Sequence, residues 1–243
     1  MIFTWLDYPT SFYLRITIIS IQNNKQERRI KVEILEIVER VSGKIAPGRS
    51  PLFTEAHVIK ALEEINAQES VGRLKLSKEL QLGEGAARTL VKHLKNERLI
   101  EISKLGITLS ELGKRLFSDL RAVISEQIEV PSSPLTVGHF NVAVLVRGKA
   151  DAIKHGLEQR DVAIMAGAKG ATTLVFSKNK LTMPSAHEED VFKCNAIIRN
   201  LLLSKLSPKE GDVIIIGSAD EKIRAEFGAK MAAIQLLKAL SNS

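Results

Sequence analysis

The chain has 243 residues, 44% of them hydrophobic and 26% charged, with 35 Lys and Arg against 28 Asp and Glu for a net charge of +7. This length holds two modest domains with cores of their own, and the composition excludes disorder over most of the chain. The single cysteine, Cys194, excludes an internal disulfide framework, fits a reducing cytoplasmic compartment, and reads as a helix core residue. The histidines (His57, His93, His139, His155, His187) are scattered without a cysteine cluster, which argues against a zinc site. No cofactor is expected. An isoelectric point near 9.5 suits a nucleic-acid partner.

Residues 1–26 differ from the rest: they hold the only Trp, both Tyr and two of the eight Phe. Asp7, Pro9 and Arg15 interrupt this stretch too often for a membrane span, and it lacks a basic start and a small-residue cleavage site. It reads as an atypical extension, from a start codon placed too far upstream, or as a poorly ordered arm.

From Glu27 to Val41 the apolar residues Ile30, Ile34, Ile37, Val38 and Val41 form one helical stripe. A Gly/Pro loop follows. Thr54-Glu55 then caps a helix carrying Val58, Leu62 and Ile65, and Val71-Gly72-Arg73-Leu74 reads as an extended connection able to pair with later strands.

The stretch Leu74 to Leu109 predicts a short helix, a tight turn, a second helix and two short strands joined at Lys104-Leu105-Gly106. Ser77 is the expected N-cap of the first helix, and Leu82-Gly83 its expected end. The second helix starts near Glu84 or Gly85. Ala87, Leu90, Val91 and Leu94 follow i, i+3, i+4, i+7 spacing on its buried side, which leaves Arg88, Thr89, Lys92, His93, Lys95 and Asn96 opposite. This order is that of a winged helix-turn-helix, and the second helix stands where a recognition helix enters a major groove.

Exposed Arg and Lys on a helix are often only a solvated face. Here, however, ten Lys or Arg stand against five Glu between Gly72 and Arg115, a surplus of five out of the chain's seven. That surplus favours double-stranded DNA as the partner, with Arg88, Thr89 and Lys92 at base edges and inner phosphates, and Lys95, Arg98 and Lys104 at flanking phosphates.

A helix from Glu111 to Gln127, begun by Ser110, follows, read as a connector or dimer contact, or equally as packing on its own winged-helix domain. Val130-Pro-Ser-Ser-Pro134 is the expected linker (129–134) between a winged-helix domain (27–128) and an α+β domain (135–243) with a mainly antiparallel sheet. That second domain predicts strands at Asn141–Val146, Thr172–Phe176, Lys180–Met183 and Asp212–Ile216. Its expected helices are Ala150–Met165, broken at Gly156, then Glu188–Lys205 and Ala219–Leu240.

Arg160, Asp161, Gly167, Lys169, Gly170, Thr172 and Thr173 form its densest candidate ligand site. Backbone N–H groups of the glycine turn, the guanidinium and the hydroxyls suit an anion or carboxylate. Arg160-Asp161 serves equally well as a structural ion pair, and the glycines as a helix-to-strand turn. No phosphate-binding loop, dinucleotide fingerprint, nucleophile elbow or paired-carboxylate motif is present, so catalysis has no specific support.

The segment LSKELQLGEGAARTLVKHLKNERLIEISKLGITLSELG resembles the winged-helix module of archaeal transcription regulators. GLEQRDVAIMAGAKGATTLVF and DVIIIGSAD resemble the domain of unknown function found behind that module. That domain is similar in fold to the GAD insert domain of some aminoacyl-tRNA enzymes, a small α+β sheet with helices on one face. The resemblance covers roughly Glu27 to Leu240. It implies a regulator and carries over no catalytic residue; the reading adopted is a homodimeric, cytoplasmic regulator whose second domain senses a small-molecule effector or mediates dimerisation. The alternative is an enzyme or RNA-associated protein with a small-molecule site in the Arg160–Thr173 region.

Overall fold

The computed structural model of the protein describes residues 32–43, 52–184, 192 and 195–239. Residues 1–26, Cys194 and the first part of the helix expected from Glu188 lie outside that set, apart from Phe192.

The N-terminal half opens with helix α1 over residues 32–42, whose Ile34, Leu35, Ile37, Val38 and Val41 are buried. Helix α2 (Glu55–Asn66) starts at Thr54, where His57 Nδ1 accepts the Thr54 N–H at 3.1 Å. Next come α3 (Arg73–Glu79), α4 (Glu84–Asn96), β1 (Ile100–Ser103) and β2 (Gly106–Leu109). Strands β1 and β2 pair antiparallel from Ile100 opposite Leu109 to Ser103 opposite Gly106, and Val71 adds a bridge to Ile107. Helix α5 (Glu111–Val123) is capped by Ser110, whose Oγ accepts from Gly113 N and donates to the Arg98 carbonyl. Gly113 is required there: an added Cβ would lie 2.0 Å from the Leu99 carbonyl oxygen.

Several expectations need correction. Ser77 is not a cap but lies buried inside α3, donating to the Leu82 carbonyl at 2.6 Å, and the N-cap is Gly72. The helix therefore begins at Arg73, within the stretch expected to be extended. The left-handed residue that closes the α3 region is Gln81 (φ 48°), whereas Gly83, at φ −62°, is the N-cap of α4. His93 does not face solvent. Its Nδ1 lies 2.7 Å from the Val41 carbonyl oxygen and its ring meets Phe53 edge-on.

Helix α5 ends earlier than expected because Ile124 turns extended and bridges to Val146. Four residues on, β3 (Ile128–Glu129) enters a five-stranded sheet with β4 (Phe140–Val146), β5 (Gly170–Ser177), β6 (Lys180–Thr182) and β7 (Val213–Ala219). The order is β3-β4-β7-β5-β6, antiparallel throughout. Val130–Pro134 runs between β3 and β4.

After a short 3-10 turn at Ala150–Ala152, α6 (Leu157–Met165) starts at Gly156, whose φ of +73° supplies the predicted break. Helices α7 (Ala196–Leu206) and α8 (Lys222–Lys238) complete the domain. Helices lie on both faces of the sheet, not on one. Ile198, Leu202 and Leu206 of α7 cover Ala143, Leu145, Leu174, Ile214 and Ile216, while Ala229, Ala232 and Ala233 of α8 cover Val144, Val146, Val213 and Ile215. Accordingly β7 reads as an unbroken buried run rather than an alternating strand. Gly217 lets α8 approach closely, since a Cβ there would lie 2.3 Å from the Ala225 carbonyl oxygen.

The two halves share one core: residues of α1, α2, α4 and α5 join those of α8, β4 and β7 in a single apolar cluster. Where α2 meets α8 the contact is ionic. Lys60 Nζ lies 3.2 Å from both carboxylate oxygens of Glu226 and 3.2 Å from Glu64. Lys230, 1% exposed, reaches Glu226 at 2.6 Å and also binds Glu63, which in turn meets Arg121 at 3.3 Å. Lys238 ties the end of α8 to Glu39 and Glu55. Burial alone would push the Glu226 carboxyl up, but Lys230 and Lys60 outweigh it and hold the group below its ordinary value.

Candidate nucleic-acid interface

Helix α4 buries Ala87, Leu90, Val91, His93 and Leu94, and the remainder of its surface is free. Gly83 leaves the first-turn N–H groups without a side-chain cap, with Glu84 beside them. Arg88, Thr89, Lys92 and Lys95 are all exposed. Thr89 Oγ1 donates back to the Gly85 carbonyl at 3.0 Å, which leaves its oxygen lone pairs and methyl group outward.

A groove of about 410 Å³ runs between α4 and the wing, lined by Arg73, Arg88, Lys92 and Lys95 together with Val71, Val91 and the strand residues Ile102, Ser103, Gly106 and Ile107. None of these four cations forms an ion pair with an acidic side chain among the described residues. The groove therefore gathers four basic side chains without an ion-pair partner, although Glu84 lies beside Arg73 and Arg88. Arg73 is the member that sequence reasoning missed. Its sequence context reads as an extended connection, whereas as the first residue of α3 it lies beside Arg88.

Arg98 and Lys104 flank the groove rather than line it. Arg98 sits in the turn after α4 with φ 57°, exposed, its carbonyl held by Ser110. Lys104 and Leu105 form the wing tip, where Leu105 is 86% exposed. The tip is pinned on two sides: Ser103 Oγ accepts the Leu105 N–H at 3.1 Å, and Ser70 donates to the Leu105 carbonyl at 2.9 Å.

The seven residues expected around a C-terminal ligand do not converge. Arg160 is paired with its neighbour Asp161 at 3.0 Å in the open, and Lys169 with Asp220 at 2.7 Å. Gly167 (φ +95°) forms the turn after α6 and lies under the Arg224 side chain, while Gly170 lies against Val137. Thr172 and Thr173, adjacent on β5, point to opposite faces of the sheet. Thr172 Oγ1 donates to the Leu135 carbonyl at 2.6 Å; Thr173 faces Gly156, its hydroxyl buried and unpartnered.

Among the described residues no three His, Cys, Asp or Glu side chains gather as a metal site, and no helix is long and apolar enough to cross a membrane.

Comparison with known proteins agrees with the geometry of the first half. Residues 57–124 match the family model of the CggR N-terminal DNA-binding domain, and residues 137–236 match a domain of unknown function, DUF4443. No curated protein matches the chain. Among solved structures it is similar to hypothetical protein PH0730 from Pyrococcus horikoshii OT3, at 28% identity and a TM-score of 0.62, over 76% of this chain and 94% of that one. The chain is thus a segment matching a DNA-binding domain, joined to one matching a domain of unknown function.

Proposed function

We infer that the protein is a transcription regulator that reads duplex DNA with α4 in the major groove and the wing on the adjacent backbone. The observation that carries this reading is the convergence of Arg73, Arg88, Lys92 and Lys95 on one groove without acidic partners. Cations without an ion-pair partner gain most from a polyanion, because each phosphate they neutralise releases a condensed counterion. Arg88, Thr89 and Lys92 are assigned to base edges and inner phosphates, and Lys95, Arg98 and Lys104 to flanking phosphates. The match of residues 57–124 to a DNA-binding domain supports the same reading.

The protein works as a homodimer in this reading, with two recognition helices about 34 Å apart on a palindromic site and the sheet-bearing half as the dimerisation module. Fluorescence anisotropy against duplex DNA across a salt series tests it. Affinity should fall by about 0.9 log unit per neutralised phosphate per log unit of salt, and Arg88→Ala/Lys92→Ala should reduce that slope by about 2. Binding that ignores the double substitution would remove α4 from the interface.

A further inference from the structure

Two residues on the outward face of α4 are poor helix formers that the fold does not call for. At 3.6 residues per turn, Gly85, Thr89, Lys92 and Asn96 fall within an arc of about 60° opposite the buried Leu94, and all four are exposed. A Cβ added at Gly85 would meet nothing within 4 Å, and its φ is not positive, so neither packing nor backbone accounts for the glycine. Glycine and threonine both weaken a helix relative to alanine, and Thr89 stands one turn along the same arc. Arg88 and Lys95 lie to one side, along the groove shared with the wing.

The side chains of this arc lengthen from Gly85 through Thr89 to Lys92, so the first two turns of α4 come closest to a surface laid against it. Those are the turns with which a recognition helix meets base edges. The orientation of Thr89 is fixed there, because its Oγ1 donates to the Gly85 carbonyl at 3.0 Å. Its single donor is thereby occupied, and it presents outward a methyl group and an accepting oxygen. Guanine offers the major groove only acceptors, which such a side chain cannot bond. A thymine–adenine pair offers both the C5-methyl group and the adenine amino group. Cytosine has an amino group for the oxygen but lacks the methyl.

We propose that Thr89 selects a thymine in the bound sequence, its methyl group packing on the thymine C5-methyl above the bare backbone of Gly85. The proposal rests on the regulator reading and names the base that one residue of the recognition helix requires.

A library of duplexes with a randomised core, taken through rounds of selection on the full chain, supplies a preferred sequence. Anisotropy then compares that duplex with versions in which deoxyuridine replaces one thymine at a time, a change that removes the methyl and keeps every hydrogen bond. At one thymine the replacement should weaken binding about fourfold, as the loss of one buried methyl group does. At the same place 5-methylcytosine paired with guanine should bind better than cytosine. Thr89→Ser keeps the hydroxyl and its bond to Gly85, and should bind the thymine and deoxyuridine duplexes alike. Thr89→Val keeps a methyl group and should still tell them apart. Both changes lie on the surface and leave the core intact. Specific binding in which no thymine is sensitive to loss of its methyl overturns the proposal and leaves the regulator reading standing. So does a sensitivity that Thr89→Ser keeps or Thr89→Val loses. Selection that enriches no duplex overturns both.

Discussion

Lys230→Met tests whether the ionic contact between α2 and α8 holds the two halves together. Methionine keeps the volume and helix preference of lysine and removes the charge. Cutting one partner from a buried ion pair costs about 3–5 kcal/mol, because the remaining charge is stranded. Here neither carboxylate is left alone: Glu226 keeps Lys60 at 3.2 Å and Glu63 keeps Arg121 at 3.3 Å. The expected loss is therefore about 2–3 kcal/mol, below the full figure for a stranded charge. Removing Glu226 as well, in Lys230→Met/Glu226→Met, deletes a cation and an anion together and should cost less than the two single losses added, with a coupling of at least about 1 kcal/mol. Urea unfolding followed by circular dichroism provides the numbers, read as midpoint shifts at constant slope. The unmodified protein should unfold in one transition, since one apolar cluster spans both halves. A Lys230→Met midpoint equal to wild type, strict additivity in the double variant, or two separate transitions would each refute the reasoning.

Other consequences are open to simple measurement. Arg73→Ala should lower DNA affinity at every sequence tested and reduce the salt slope by about 1, as a phosphate contact does. Arg98→Gly relieves a left-handed residue and should leave stability within about 1 kcal/mol of wild type while weakening DNA binding, so that denaturation and anisotropy part company. Gly113→Ala drives a methyl group into the Leu99 carbonyl and should cost about 1–3 kcal/mol in urea unfolding. Burial, followed by the nearby Arg224, lowers the His57 pKa to about 4 from 6.5. The unfolded chain therefore takes up a proton that the folded chain refuses. Stability at this site is fully present above pH 6.5 and is lost as pH falls toward 4, and His57→Asn should flatten that part of the urea-midpoint profile.

How far the sequence revealed this molecule depended on how local each determinant is. Helix α4 was legible because Ala87, Leu90, Val91 and Leu94 repeat at helical spacing within a single segment. His93 was misread because its burial comes from Val41 and Phe53, on segments that nothing near His93 announces. Ser77 looks like a cap because serine before an apolar run usually is one; here Gly72, which offers no side chain to read, caps the helix five residues earlier. Strand β3 is two residues long, too short for any alternation to register. The Arg160–Thr173 cluster was dense in sequence, yet strand geometry sends Thr172 and Thr173 to opposite faces. The ion cluster of Lys60, Glu63, Glu226 and Lys230 joins residues more than 160 positions apart, and each of them reads locally as a solvated helix charge.

Ile124 leaves α5 and bridges at once to Val146 in the sheet, so in the proposed regulator no slack chain would separate the DNA-reading half from the half that would join two copies. A reader on a flexible tether tolerates an altered distance between its two targets by swinging. This one would act as a fixed gauge: one extra base pair between half-sites moves the second by about 3.4 Å and turns it by about 35° around the duplex, and a stiff two-fold pair cannot follow.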